Sequence, residues 1–200
     1  MPAHCINRRL ALAQRDGQAA KKEKEALYAD PQWRKDNYII NRDSAGANPY
    51  FALQKLMWGN KRFVEGKSIH PRQDADVINT LSKGQAPFAT IVGCSDSRVS
   101  AEILFDQGFG DLFVTRTAGQ VMAQASYGTI EFASGVLGTK LIVVLGHSYC
   151  GAVDAAIKLP ENPPGHVVTL INSIKPATKR YFGISENLLD FAVKQTLSTK

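Results

Sequence analysis

A chain of 200 residues, 44% hydrophobic and 21% charged, has the make-up of an ordinary soluble globular protein and is long enough for one domain with a sizeable core. Its net charge of +6 does not point to nucleic acid: the basic residues are spread along the chain and mixed with acids, as in "KKEKE", without the basic and aromatic pattern of a nucleic-acid module, and a charge of this sign suits attraction of a small anion. No apolar run approaches the roughly 20 residues of a membrane span, and the start, "MPAHCINRRLALAQRDG", has too short an apolar patch for a signal-peptide core, so a cytoplasmic protein is expected.

Residues 9–29, "RLALAQRDGQAAKKEKEALYA", read as a charged helix. The polar connector after them, "DPQWRKDNYIINRDSAGANP", has the composition of an extended segment lying on something else, such as another subunit. A second helix is expected over 49–65, with Phe51, Met57 or Trp58, and Phe63 on one apolar face, Pro49 in the first turn and Gly66 at the stop. "DADVINTLSKGQAP" carries a further helix that ends before Pro87.

The pattern then changes. "FATIVGC", "DLFVTRT" and "KLIVVLGH" are short β-rich apolar runs separated by the helical segments "SAEILFDQG" and "ASYGTIEFASGVLG". Strands alternating with helices predict βαβ units and a parallel sheet, and near-continuous hydrophobicity predicts strands covered on both faces. A helix, "GAVDAAIKL", the loop "PENPPG", and helices near 166–176 and 185–198 follow. The fold class is α/β, a central parallel-dominated sheet flanked by helices.

The chemistry gathers at two strand ends. Cys94 and Asp96 leave the first strand, while His147 and Cys150 leave the last and enter a helix. Ligands of open α/β sheets collect outside the carboxyl ends of the strands. If these two strands are neighbours, thiolate, carboxylate, imidazole and thiolate converge as a complete tetrahedral zinc set. Cys150 falls at a helix start, whose partial positive charge lowers a thiol pKa. Asp96 can serve as the fourth ligand or as an acceptor behind a zinc-bound hydroxide. Arg98 can hold that carboxylate off the metal in a bidentate pair, and an Asp96 alternating between zinc and Arg98 would close and open the site. Each piece alone has a bland reading: a buried small cysteine, a hydrogen-bonded histidine, a structural ion pair. Together they would all have to be coincidental. Three cysteines, Cys5 included, are too few and odd in number for a disulfide scaffold.

"GCSDSRV" followed by "GHSYCGAV" resembles the β-class carbonic anhydrases, and the resemblance extends through "GNKRFVEGK" and "YGTIEFASGVLGTKLIVVLGHSYCGA" to cover about residues 56–156. It implies reversible hydration of CO2 to bicarbonate and a proton by a zinc-bound hydroxide, with one Zn2+ per chain on Cys94, His147 and Cys150. Asp96 and Arg98 would be the catalytic dyad, with Asp96 able to take the fourth zinc position in an inactive state. It also implies Gln85 as a donor to a substrate oxygen, Phe113 as an aromatic wall, Gly151 as a backbone contact, and Phe132 where many members carry Tyr. Ile91 stands where a bicarbonate-inhibited branch carries Trp, so that regulatory site is not expected. Residues 1–48 would form an N-terminal helical extension packing on a partner subunit in a homodimer or higher homo-oligomer. Residues 49–200 would form the zinc-binding catalytic domain, ending before the family's usual last strand. The competing readings are a hydrolase of carbonyl sulfide or carbon disulfide, a non-catalytic zinc-binding homologue, and a redox protein using Cys94 and Cys150.

Overall fold

The computed structural model describes Gly46, residues 48–82 and residues 84–179. The helices expected over 9–29 and 185–198, and with them the N-terminal extension and the C-terminal end, lie outside the described residues. In chain order the elements are α1 (Pro49–Val64), α2 (Ala75–Leu81), β1 (Ala89–Cys94), α3 (Ala101–Leu104), β2 (Leu112–Thr117), a 3-10 turn (Ala118–Gln120), α4 (Gln124–Gly135), β3 (Ile142–Leu145), α5 (Gly151–Lys158) and α6 (Val167–Lys179). The described residues divide into two compact units, one built from those up to Phe88 with Glu102–Leu112, the other from Ala89–Ala101 with those from Phe113 onward.

In the first unit, α1 starts where Asn48 accepts a hydrogen bond from the Tyr50 N–H at 2.9 Å, with Pro49 in the first turn. Its buried face differs from the apolar one expected. Ala52, Lys55, Leu56, Gly59 and Arg62 point inward, while Phe51 and Met57 are 43% and 58% exposed. The reason is two buried acids. Arg62 Nε donates to Asp106 at 2.6 Å, and Lys55 Nζ lies 3.4 Å from Asp111 and 4.2 Å from the centre of the Phe88 ring. A buried carboxylate left without its cation costs roughly 3–5 kcal/mol, more than the gain from turning one aromatic inward, so the cations set the helix rotation. Gly59 completes the fit, because a Cβ there would collide with the Phe105 carbonyl.

The second unit carries the sheet, in the order β2-β1-β3. β1 and β3 are parallel, pairing Thr90 with Ile142 through Gly93 with Leu145. Every residue of β1 is buried, as its unbroken apolar run requires. β2 and β3 are only half-buried and Ile142 is 46% exposed, so among the described residues coverage on both faces holds for the central strand alone. α6 runs past the expected stop through Pro176, which is exposed. α5 and α6 build the core of this unit from Val153, Ala156, Ile171 and Ile174, and that core includes Cys94 and Cys150. No described helix is long and apolar enough to cross a membrane. The expected α/β architecture is the one observed, and its register decides the rest. With Gly93 opposite Leu145, the segments after β1 and β3 leave the sheet side by side.

Candidate metal centre

Parallel pairing brings the two strand ends together as the sequence required. The ligand atoms of Cys94, His147 and Cys150 all lie within 4.8 Å of one another, and the two sulfurs are 3.9 Å apart. Both cysteines are buried free thiols. His147 Nδ1 lies 3.0 Å from the Ser148 carbonyl, which can only accept, so Nδ1 carries a proton and Nε2 is the ring nitrogen that a metal would take. That Nε2 is buried and has no hydrogen-bond partner. A buried acceptor left bare beside two thiols is an unfavourable arrangement unless something else ligates it. Two sulfurs and an imidazole nitrogen are the donors that zinc takes, so the set fits that ion.

The thiol chemistry departs from the helix-terminus expectation. Burial pushes the Cys150 thiol above its ordinary pKa and the neighbouring Cys94 adds to the rise, while the N–H groups of Val153 and Ala152 oppose it without prevailing. The helix start acts as expected, but desolvation is larger. A cation is therefore needed to hold the thiolate form. On the other sulfur, the Gly119 N–H points at Cys94 Sγ from 3.3 Å. Gly119 has φ +67, and a Cβ there would stand 2.7 Å from Ile174 Cδ1 and 3.2 Å from Ala152 Cβ. Gly119→Ala is therefore expected to cost about 2 kcal/mol, read as a lower denaturant midpoint, from left-handed strain plus crowding; an unchanged midpoint would show that the turn relaxes freely.

Asp96 stands outside the three-donor cluster, its Oδ2 3.9 Å from His147 Nε2. Arg98 engages it bidentately, Nε to Oδ1 at 2.8 Å and a terminal nitrogen to Oδ2 at 2.6 Å, and the Arg98 backbone N–H adds a third bond at 3.0 Å. These bonds hold the carboxyl well below the usual carboxylate range. The same guanidinium donates to the Tyr149 carbonyl at 3.0 Å, and Tyr149 sits at φ 57, a left-handed conformation unusual for a large side chain. Arg98 thus ties the segment after β1 to the one carrying His147 and Cys150. Sequence reasoning missed Tyr149, Gly119 and Arg116, whose guanidinium binds the Cys94 and Asp96 carbonyls. All three act through backbone groups, which leave no residue-type signal.

The residues assigned by resemblance all fall among the described ones. Phe113 and Phe132 lie against each other, ring centres 6.1 Å apart, and Phe132 is 46% exposed. Gly151 opens α5 beside Cys150, with nothing crowding its Cα. Gln85 is exposed and belongs to the first unit.

The family model for carbonic anhydrase matches residues 89–198. Carbonic anhydrase 2 of Mycobacterium tuberculosis is 50% identical over 133 residues, which is 65% of this chain and 64% of the relative. The carbonic anhydrase of Mycolicibacterium smegmatis is 48% identical over 134 residues, 66% of this chain and 65% of that one. The chain therefore spans less than two thirds of either relative. Among solved structures, the β-carbonic anhydrase CcaA matches with a TM-score of 0.55 at 31% identity, over 74% of this chain and 71% of the other.

Proposed function

The chain belongs to the β-carbonic anhydrase family, and on that premise we propose that it holds one zinc ion on Cys94, His147 and Cys150 and catalyses reversible hydration of carbon dioxide to bicarbonate and a proton. The observation that carries this reading is the bare, buried Nε2 of His147 grouped with two buried thiols. Bound there, zinc supplies Lewis acidity that brings the pKa of water towards 7.

The chain's own residues would do the rest. Three protein donors leave a coordination position open, provided that Asp96 stays away, and Arg98 holds it away. Asp96 remains ionised and is purely an acceptor. Its Oδ2 spends one lone pair on Arg98 and has another to take a hydrogen bond from the reacting water, which would turn the water's own lone pair towards carbon. Phe113 and Phe132 would offer an apolar wall to an uncharged linear substrate, and Gly151 a backbone donor next to Cys150. Phe132 brings no hydroxyl, so no proton relay is assigned to it. A reducing, cytoplasmic setting suits a pair of cysteines that must remain thiols. Exposed Tyr127, Phe132 and Val136 on or beside α4 support a homodimer or larger homo-oligomer.

The test is stopped-flow CO2 hydration with zinc content measured on the same sample, across about pH 6.5 to 9. About one zinc per chain with rapid hydration that rises with pH is expected. Zinc without hydration at any pH would overturn the assigned reaction and make carbonyl sulfide the next substrate to assay.

A further inference from the structure

We propose that Arg116 is a positioning residue that reaches across from β2 to set the backbone carrying Cys94 and Asp96, and thereby the zinc affinity of the site. The inference rests on reading Cys94, His147 and Cys150 as a zinc site.

Its geometry is that of a clamp. Arg116 Nε donates to the Cys94 carbonyl at 2.8 Å, and a terminal nitrogen donates to the Asp96 carbonyl at 2.6 Å. The half-buried stem passes over Gly93, where a Cβ would stand 4.0 Å from Arg116 Cγ. The two carbonyls bracket Ser95 and belong to the residues supplying a sulfur and the carboxylate. β1 ends at Cys94, so strand pairing stops holding the chain where accurate placement begins. One backbone bond continues the tie, from the Ser95 N–H to the Thr117 carbonyl at 3.0 Å, and Thr117 is the neighbour of Arg116. A rigid planar fork that holds two carbonyls fixes the peptide planes that follow Cys94 and Asp96, and with them the course of the backbone from which the sulfur and the carboxylate project.

The charge argues the same way. Among the described residues Arg116 donates to carbonyl oxygens, those of Cys94 and Asp96. A half-buried cation whose described partners are all carbonyl oxygens is a costly choice for a strand position, where an apolar side chain would pack at less cost. The choice is explained by the two carbonyls it holds, one on the residue that supplies a sulfur and one on the residue that supplies the carboxylate. Lysine could replace the charge but, as a single point donor, could not hold both carbonyls in one geometry.

The experiment uses the full chain with Arg116→Lys and Arg116→Met, each prepared free of metal. Zinc affinity is measured by competition with a chromophoric chelator, cobalt(II) spectra report the thiolate coordination, and denaturant unfolding reports metal-free stability. Both variants are expected to bind zinc about 10–100-fold more weakly, the range for groups that orient metal ligands. Altered cobalt bands are expected as well, while the metal-free Lys variant unfolds near the parent's midpoint. Parental zinc affinity and parental cobalt bands in the Lys variant would overturn the proposal, as would an affinity loss there that merely follows an equal loss of metal-free stability. A parent chain that itself binds no zinc would instead overturn the zinc reading, and is seen in the same titration before any variant is compared.

Discussion

Cys150→Ala should yield a folded chain that no longer retains zinc, its content falling from one ion per chain to less than about a tenth of that after dialysis, with CO2 hydration lost in proportion. The cysteine is 1% exposed, its sulfur is one of three donor atoms within 4.8 Å, and the substitution leaves an imidazole and one thiol, too few to compete with a chelator. The backbone should survive the change. Cys150 precedes α5, and the apolar core around it is supplied by Val153, Ala156, Ile171 and Ile174. Circular dichroism of the variant should therefore match the metal-free parent. Because burial makes the Cys150 proton hard to remove, zinc and protons compete for this sulfur, and retention in the parent should weaken as the pH falls. Full retention of zinc by Cys150→Ala would remove this sulfur from the ligand set.

Much of this site was legible because its chemistry is carried by residue type at strand ends. β1 and β3 announce themselves as apolar runs, and a parallel neighbour relation is all that is needed to bring Cys94 together with His147 and Cys150. What stayed hidden depends on partners distant in sequence. The rotation of α1 follows from Asp106 and Asp111 being buried some fifty residues further on, so a reading of its aromatics alone chose the wrong face. Helix-terminus reasoning saw the N–H donors near Cys150 but not the burial that outweighs them. Gly119 and Tyr149 matter through left-handed backbone, and Arg116 through bonds to carbonyls, none of which a residue's identity discloses. The helix expected near 166–176 continues through Pro176 to Lys179.

Asp96→Asn should separate metal binding from turnover. The carboxylate lies outside the cluster formed by Cys94, His147 and Cys150, so the variant is expected to keep its zinc. Its hydration rate should fall on the order of 100-fold or more, the scale on which a positioned proton acceptor acts. The replacement is nearly isosteric, but it turns one acceptor oxygen into a donor nitrogen and removes the negative charge that Arg98 holds bidentately. If the amide nitrogen takes the Oδ2 position, it presents hydrogens both to the water that the carboxylate would have accepted from and to the Arg98 terminal nitrogen that donates there. If it takes the other, it meets Arg98 donor to donor and loosens the tie to the Tyr149 carbonyl. Either orientation sets a donor against Arg98, the first also denies the water its acceptor, and zinc content measured beside kcat shows that the loss is not one of metal. Should Asp96→Asn hydrate CO2 at the parental rate, the acceptor role would be wrong, and Asp96 would be left as an anchor for Arg98 alone.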